Sequence, residues 1–272
     1  NGSDAGHVRV YEYNSGIWSQ RGQDIDGEAA DDWNGYSVSL SGDGNILAIG
    51  APWNDASASN AGQVRVYSFD GSNWIQLGQD IDGESSNDNS GHSVSLNSAG
   101  NIVAIGAIGN NNANGLSSGH VRIYEYSSGV WSQLGQDIDG DGQGNQSGGS
   151  VSLSADGNRV AIGANDNSNA NGSGSGHVRI YEYSSGVWSQ LGQDIDGEAA
   201  SDHSGMSVSL SSDGNTVAIG APDNDGNGSN AGHVRVYNWN GSSWNQLGQD
   251  IDGEAALDMS GYGVCLSSDG NT

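Results

Sequence analysis

Short segments in which apolar and small polar residues alternate recur along the whole chain. One is YSVSLS at Tyr36, with the related strings HSVSLN, GSVSLS, MSVSLS and YGVCLS further along. A second type, ILAIGA or VAIGA, follows each of the first four, and a third type, HVRVYEY, alternates valine with arginine and tyrosine. A period of two predicts β-strands, and no segment has the period of an amphipathic helix. We name these predicted strands A, B and C, and a fourth, IWSQRGQDI, is strand D.

The predicted strands form a repeat. The string GHVRVY or a close variant begins at Gly6, Gly62, Gly119, Gly176 and Gly232, with spacings of 56, 57, 57 and 56 residues. Asp-Gly-Asn sequences join strand A to strand B in most units, and Asp-Gly is typical of tight hairpins. A fixed period of this size predicts a repeat architecture, and four antiparallel strands per unit predict a propeller. The expected fold is all-β: a β-propeller of four-stranded antiparallel blades, about 57 residues per repeat, with five repeats.

We expect residues 1–272 to form a single propeller domain. The last unit stops at SSDGNT, before its strand B, and the first begins with a string that matches the one at Asn227. We expect the chain to be a window of a longer repetitive protein. The alternative is a five-bladed ring with one short blade.

Composition and charge narrow the class of partner. The chain has 33 acidic residues and 7 arginines, no lysine, and a formal net charge of −26. This excludes nucleic acid, which needs a basic surface, and disfavours an anionic membrane; it suits a protein that binds cations or works in a salty medium. No apolar run reaches the roughly 20 residues of a membrane span, so no membrane insertion is expected. The single cysteine, Cys265, excludes an internal disulfide, and the start at Asn1 predicts a processed or excised piece.

One unit of the chain contains the string GYSVSLSGDGNILAIGAPWND, and AGQVRVYSFDGSNW follows it. In these strings the unit resembles the FG-GAP repeat, the blade unit of the integrin-α N-terminal β-propeller and of many secreted relatives. The motif AIGAP stands at Ala48–Pro52 and Ala218–Pro222. The resemblance covers the whole chain and implies a secreted or cell-surface location. Two departures matter. The Phe-Gly pair is replaced, for example by Asn34-Gly35, and the A-to-B link at Asp43 is too short for the family's Ca²⁺ loop, which is therefore not carried over.

Acidic residues recur instead in the loop from strand D to strand A, at i, i+2, i+4 and i+8. Alternating carboxylates around a glycine can converge on Ca²⁺, so these acids are candidate metal ligands; the alternative is that they make turns, cap amides or face water. The candidates are Asp24, Asp26, Glu28, Asp32, Asp80, Asp82, Glu84, Asp88, Asp137, Asp139, Asp141, Asp194, Asp196, Glu198, Asp202, Asp250, Asp252, Glu254 and Asp258.

Three other residue types recur once in most units. Strand C carries an arginine, such as Arg65, which we expect to pair with an aspartate of the DID segment. Strand D carries a tryptophan, such as Trp74, which we interpret as a packing wedge between blades rather than a sugar-stacking residue. The strand C histidines lack the spacing of a zinc site, and no nucleophile or catalytic triad stands out.

Residues that do not repeat are candidates for binding. Trp33, Tyr36 and Trp53 lie in or beside the D-to-A and B-to-C loops, which we expect to open on the same face, and loop aromatics favour binding. Five sequons are possible glycan acceptors or plain loop residues: Asn1, Asn145, Asn171, Asn227 and Asn240.

Together these patterns lead us to expect a non-enzymatic, extracellular adhesion or recognition module that presents its loops to a protein or glycan partner. The alternative is a structural unit of an extracellular filament or surface appendage, in which copies of the chain associate. Calcium is the candidate cofactor in either case.

Overall fold

The computed structural model describes residues 2–272, and all the regular elements in that range are β-strands. The described residues contain no helix long and apolar enough to cross a membrane. Two two-stranded sheets come first. They are built from β1 (His7–Val8) with β4 (Ile25–Asp26), and from β2 (Tyr11–Asn14) with β3 (Ile17–Gln20).

Four five-stranded antiparallel sheets follow along the chain. Sheet 1 consists of β5 (Ser37–Leu40), β6 (Ile46–Ala51), β7 (Gln63–Phe69), β8 (Trp74–Gln76) and β9 (Ile81–Asp82). Sheet 2 consists of β10 (Ser90–Leu96), β11 (Ile102–Ala107), β12 (His120–Ser127), β13 (Val130–Gln133) and β14 (Ile138–Asp139). Sheet 3 consists of β15 (Ser150–Leu153), β16 (Arg159–Ala164), β17 (His177–Ser184), β18 (Val187–Gln190) and β19 (Ile195–Asp196). Sheet 4 consists of β20 (Ser207–Leu210), β21 (Thr216–Ala221), β22 (His233–Trp239), β23 (Trp244–Gln246) and β24 (Ile251–Asp252).

Within each sheet the predicted strands A, B, C and D are hydrogen-bonded in that order, which confirms the meander read from the sequence. The number of strands differs from the expected four, because predicted strand D is broken into two pieces that both pair with strand C. The break contains a glycine with positive φ, Gly78 in sheet 1 and Gly135 in sheet 2. A Cβ at Gly78 would lie 2.8 Å from Trp131 of sheet 2. The glycine therefore bends strand D and makes room for the next sheet's tryptophan.

The apolar core lies between successive sheets. One cluster joins Val64 and Val66 of sheet 1 to Val103, Ile105 and Trp131 of sheet 2, and equivalent clusters join the following pairs of sheets. Trp131 is 3% exposed, and its indole nitrogen donates to the Leu77 carbonyl of the preceding sheet at 2.7 Å. The interpretation of this tryptophan as a wedge between repeats therefore holds at each internal junction. Trp18 occupies the same repeat position in β3, before sheet 1, and is 66% exposed.

The predicted last strand A, beginning at Tyr262, does not form a strand, and the described residues after Asp252 contain none. In sheets 1 to 4, strand A pairs with strand B of its own sheet. The sequence stops before the corresponding strand B, so the segment has no hairpin partner within the chain.

Candidate functional site

One end of the sheets carries both the D-to-A loops and the B-to-C loops. In sheet 1, three backbone hydrogen bonds link the two loops: Asn87 to Ser59, Asn89 to Asn60, and Ser90 to Ala61, at 2.8 to 3.1 Å. The A-to-B hairpins, which contain Asp43 and its equivalents, lie at the other end of the strands. The expectation that the two loop types share one face is confirmed, and we call this face the loop face.

A single position in each D-to-A loop has the same unusual backbone but a different side chain in every repeat. Its φ lies between 52° and 56°, the left-handed region that bulky side chains rarely adopt. The residues at this rim position are Trp33, Asn89, Gln146, His203 and Met259. Because the backbone is constant while the side chains differ, the frame presents a different chemical group from each repeat.

In the first of these loops, the rim position belongs to an aromatic cluster. The rings of Trp33 and Trp53 are 4.9 Å apart, and Tyr36 meets Trp53 edge-on at 5.1 Å. Tyr36 also contacts His92, with 3.2 Å between the hydroxyl and Nε2. Trp33 and Tyr36 are about half exposed. The structure thus brings together the three aromatic residues that the sequence marked as candidates for binding.

The equivalent pair of positions in sheet 4 carries ionisable groups. His203 occupies the rim position, and Asp223 takes the place that Trp53 has in sheet 1. The two side chains are 2.7 Å apart, from Nδ1 to Oδ2. Asp166, from the B-to-C loop of sheet 3, lies 3.6 Å from the other ring nitrogen, Nε2. A histidine between two carboxylates can hold and transfer a proton, and this pair occurs in one repeat only.

Sequence reasoning did not single out this histidine–aspartate pair. His203 and Asp223 are 20 residues apart and belong to no short motif. Their repeat positions could have identified them, because the side chain at each of these two positions differs between repeats. Trp33 and Trp53 occupy the same two positions in sheet 1. The close approach itself depends on the pairing of the two loops.

The acidic candidates of the D-to-A loops divide among different neighbours. The first acid of each loop accepts a hydrogen bond from the glutamine at the end of strand β3 or its equivalent, at 2.5 to 2.7 Å. These acids are Asp24, Asp80, Asp137, Asp194 and Asp250. The second acid pairs with the first residue of strand C in the β-ladder. These acids are Asp26, Asp82, Asp139, Asp196 and Asp252.

The third acid points to the next repeat. Glu28 and Glu84 each contact a strand C arginine of the following sheet, Arg65 and Arg122, at 3.2 Å. Asp141 and Glu198 do the same with Arg179 and Arg235, and Glu254 is the corresponding residue of the last loop. The arginines therefore pair mainly with this acid rather than with an aspartate of the DID segment, although Arg9 binds Asp24 at 2.8 Å and Arg179 also contacts Asp194.

The fourth acid stabilises its own loop. Asp32, Asp88 and Asp202 are almost fully buried, and each accepts the backbone N–H of the residue three positions earlier at 2.9 Å. Asp258 makes the same bond at 2.7 Å. Asp32 and Asp202 also accept from an asparagine of the B-to-C loop, Asn54 and Asn224. These carboxylates connect the two loops of the loop face.

The strand C histidines, which the sequence argued against as ligands, lie between acids of two successive repeats. Three groups have ligand atoms within 4.8 Å of one another, a spacing that a metal ion could use. They are Glu84, His120 and Asp137; Asp141, His177 and Asp194; and Glu198, His233 and Asp250. The spacing of residues along the sequence did not predict these groups, because one acid of each group belongs to the preceding repeat. The second unit has Gln63 in place of the histidine.

Burial disfavours the charged form of these histidines. Burial, followed by the nearby guanidinium of Arg122 or Arg179, lowers the pKa of His120 and of His177 to about 4. Burial and Arg235 lower the pKa of His233 as well. A neutral imidazole is the form that binds a metal ion.

The described glycan candidates differ in exposure. Asn171, Asn227 and Asn240 are exposed, whereas Asn145 is 7% exposed and donates to Asp141 at 2.7 Å. Asn1 lies outside the described residues.

Comparisons with known proteins agree with the resemblance seen in the sequence. A sequence model described as the FG-GAP repeat matches residues 25–67 and 195–237. A comparison with curated proteins finds no match. Among solved structures, a "putative 6-phosphogluconolactonase" from Bacteroides fragilis is similar, with a TM-score of 0.60 and 14% identity over 93% of this chain. The periplasmic gluconolactonase PpgL of Pseudomonas aeruginosa is similar with a TM-score of 0.52 and 13% identity over 90% of this chain. The chain spans 66% and 63% of the length of these two structures.

The structural neighbours share the fold with this chain and correct one expectation. The sequence was interpreted as a non-enzymatic adhesion or recognition module, or as a filament unit. Both neighbours carry the names of lactonases, not of adhesion or filament proteins. The adhesion, filament and non-enzyme interpretations were therefore wrong. The reason is that a propeller frame supports many activities, so the resemblance to integrin blades carried little information about function.

Proposed function

We propose that this chain, in which the FG-GAP repeat model matches residues 25–67 and 195–237, is a hydrolase that opens an uncharged sugar lactone at its loop face. The observation that carries the proposal is the contact of His203 with Asp223, 2.7 Å long and present in one repeat only. The names of the two structural neighbours supply the class of reaction and of substrate.

In the proposed reaction His203 is the general base. Its Nδ1–H donates to Asp223, so the lone pair lies on Nε2, the nitrogen 3.6 Å from Asp166, and takes a proton from a water molecule. The water oxygen bonds to the carbonyl carbon of the lactone, and the C–O bond of the ring breaks. The proton then passes from the imidazolium to the released ring oxygen, and the product is the open hydroxy acid. Asp223 and Asp166 stabilise the imidazolium while it holds the proton.

The charge of the chain favours an uncharged substrate over a phosphorylated one. The net charge is −26, and each of the seven arginines already contacts an acid or, for Arg21, a carbonyl and an asparagine. No free cation among the described residues is left to bind a phosphate. The same field repels the anionic product and so favours its release.

The test is hydrolysis of glucono-1,5-lactone, measured as acid release above the rate in buffer alone. We expect His203→Gln and Asp223→Asn to lower kcat/KM about 100-fold or more, the usual contribution of a general base. Asp213→Asn is the control, since Asp213 lies in the A-to-B hairpin at the opposite end of the same sheet. The 6-phosphorylated lactone should be the poorer substrate.

Two results would contradict the proposal: a rate no higher than that of buffer, or His203→Gln activity equal to that of the parent chain. A preference for the phosphorylated lactone would contradict only the argument that the charge of the chain favours an uncharged substrate.

We also propose that the three groups of one histidine and two acids bind a divalent metal ion, and that this ion has a structural role. A neutral imidazole with two carboxylates is a donor set typical of Zn²⁺ or Mn²⁺. Calcium, the ion first expected, prefers six to eight oxygen ligands. An ion held by Glu84, His120 and Asp137 would connect two successive sheets. No step of the reaction is assigned to it.

A thermal melt with each ion, and with chelator, tests the metal proposal. An ion that binds only the folded state must raise the melting temperature as its concentration rises. We expect a rise with Zn²⁺ or Mn²⁺, lost when His120, His177 and His233 are all changed to Gln. A larger rise with Ca²⁺, abolished by Asp196→Asn, would instead support calcium at the alternating acids, because Asp196 belongs to none of the three groups.

Three further parts of the proposal rest on the sequence and on the neighbours. Each five-stranded sheet is one propeller blade, and repeats of about 57 residues, five in number, build the chain. Its location is outside the cytoplasm, as for the periplasmic neighbour. The exposed sequons Asn171, Asn227 and Asn240 carry glycans only if the protein passes through a eukaryotic secretory pathway. A mass shift of the secreted chain that peptide N-glycosidase removes would test this last part.

A further inference from the structure

Two cavities on the part of the loop face next to sheet 1 are lined by Trp33. One, of about 270 Å³, lies between Trp33, Tyr36 and Asp4. The other, of about 370 Å³, is lined by both tryptophans, Trp33 and Trp53, and by Asp31, Asp55 and Asn60. The larger cavity falls within the usual volume range of ligand pockets, about 300 to 1,000 Å³.

The backbone holds this aromatic wall in place. The Trp33 N–H donates to the Asp4 carbonyl at 3.1 Å, and the Tyr36 N–H donates to the Trp33 carbonyl at 3.0 Å. Trp33 has φ of 56°, a conformation that is strained for so large a side chain. Asn89 occupies the same position in the next repeat with φ of 55° and is far better suited to it. The same φ recurs at every rim position, so the fold of the loop, and not the tryptophan, fixes this backbone and holds the Trp33 ring at the surface.

The acids in the larger cavity have no cationic partner. Asp55 accepts the Asn60 N–H at 2.7 Å, and neither Asp31 nor Asp55 has an ion pair among the described residues. All the described arginines are engaged elsewhere. Indole faces attract cations through their quadrupole, and nearby carboxylates add a direct attraction. The net charge of −26 also raises the local concentration of cations.

We propose that the larger cavity, lined by Trp33, Trp53, Asp31 and Asp55, is a binding site for an organic cation of the quaternary ammonium class. The methyl groups of such an ion pack against the two indole rings, and its charge faces the two carboxylates. The site uses residues of the first D-to-A and B-to-C loops only. It is therefore separate from His203 and Asp223, which lie at sheet 4, and goes beyond the proposed hydrolysis.

The test is a titration of the chain with choline, followed by calorimetry and by tryptophan fluorescence. The ligand control is 3,3-dimethylbutanol, the uncharged carbon analogue of choline, and methyl β-D-glucoside is the sugar control. We expect saturable binding of choline, and binding of dimethylbutanol at least tenfold weaker. Added salt should weaken choline binding, because both the field of the chain and exposed carboxylates are screened.

The protein variants are chosen from residues that the repeat itself tolerates. Trp33→Asn introduces the residue that the second repeat has at this backbone position, so the variant should fold. It and Trp53→Ala should each weaken choline binding at least tenfold, and Asp55→Asn should weaken it and reduce its salt dependence. Trp18→Ala is the matched control, because Trp18 is also exposed and stacks on a tyrosine, Tyr13, at 5.2 Å; its binding should stay within twofold of the parent.

Each remaining outcome overturns the inference. Equal binding of choline and dimethylbutanol would mean that the cavity is merely apolar, and tighter binding of the glucoside would assign it to sugars. Trp33→Asn with unchanged affinity would place the cation elsewhere. His203→Gln should bind choline as the parent does, so a failure of the hydrolase proposal and a failure of this one give different results.

Discussion

The buried strand C histidines should make the folded chain sensitive to mild acid. His120 and His177 have a folded pKa of about 4, against about 6.5 when unfolded. The unfolded chain therefore binds a proton first as the pH falls below 6.5, so the stability present above that pH is lost between 6.5 and 4. The loss should be roughly 2 kcal/mol per histidine between pH 7 and pH 5.

Urea unfolding at these two pH values, with chelator present, measures the loss. His120→Gln and His177→Gln should each reduce it, since Gln63 occupies the same site in the second repeat, is 1% exposed and donates to Asp82. An unchanged acid sensitivity in the double variant would show that other groups cause it.

At the same scale, the sequence showed which residues repeat and which vary. It did not show which of the variable residues contact one another. Trp33, Tyr36 and Trp53 were singled out because they do not repeat and lie in or beside the D-to-A and B-to-C loops. His203 stood at the same repeat position as Trp33 and was not recognised, because a lone histidine has no signature until its partner is known. Asp223 becomes that partner only when the two loops of sheet 4 pack together.

At the scale of the element, the tryptophan of strand D determines how strongly one sheet holds the next. Trp131 is buried against sheet 1, with its indole nitrogen and its backbone both hydrogen-bonded there, to Leu77 and to the Gln79 side chain. We expect Trp131→Ala to lower the free energy of unfolding by about 3 to 5 kcal/mol, as for other large core truncations.

Trp18→Ala is the internal comparison, since the same repeat residue is 66% exposed there. Its effect should stay within about 0.5 kcal/mol, the range of ordinary surface substitutions. Chemical denaturation of both variants gives the two values. Similar losses at the two positions would contradict the wedge role, because only Trp131 has a sheet to pack against.

The break in strand D also depends on the neighbouring sheet and not only on the sequence of the strand. Alternation of apolar and polar residues predicted one continuous strand through IWSQRGQDI and its copies. The structure bends this strand at Gly78, Gly135 and Gly192, where a side chain would meet a tryptophan of the next sheet. A local pattern cannot report a neighbour that lies 53 residues further along, at Trp131.

At the scale of the whole molecule, charge and architecture act together. The arginines of strand C neutralise acids of the preceding loop at each internal junction, so the ion pairs follow the stacking of the sheets. The acids that remain unpaired face solvent or the loop face and produce the strongly negative field. An uncharged substrate and a cationic ligand both suit such a field, whereas an anionic ligand does not.

The sequence by itself determined the class of fold, the strands, the tight A-to-B hairpins, the repeat and the wedge tryptophan. These features depend on alternation, turn chemistry and a regular period, all of which are local or repeated along the chain. Only the tertiary structure decided which acid each arginine meets, which groups surround the histidines, and which loop residues form pairs. Those contacts join residues of different loops or of successive repeats, which lie far apart along the chain. The chemistry of the loop face depends on them, because a side chain acquires a defined partner only when the loops and sheets pack together.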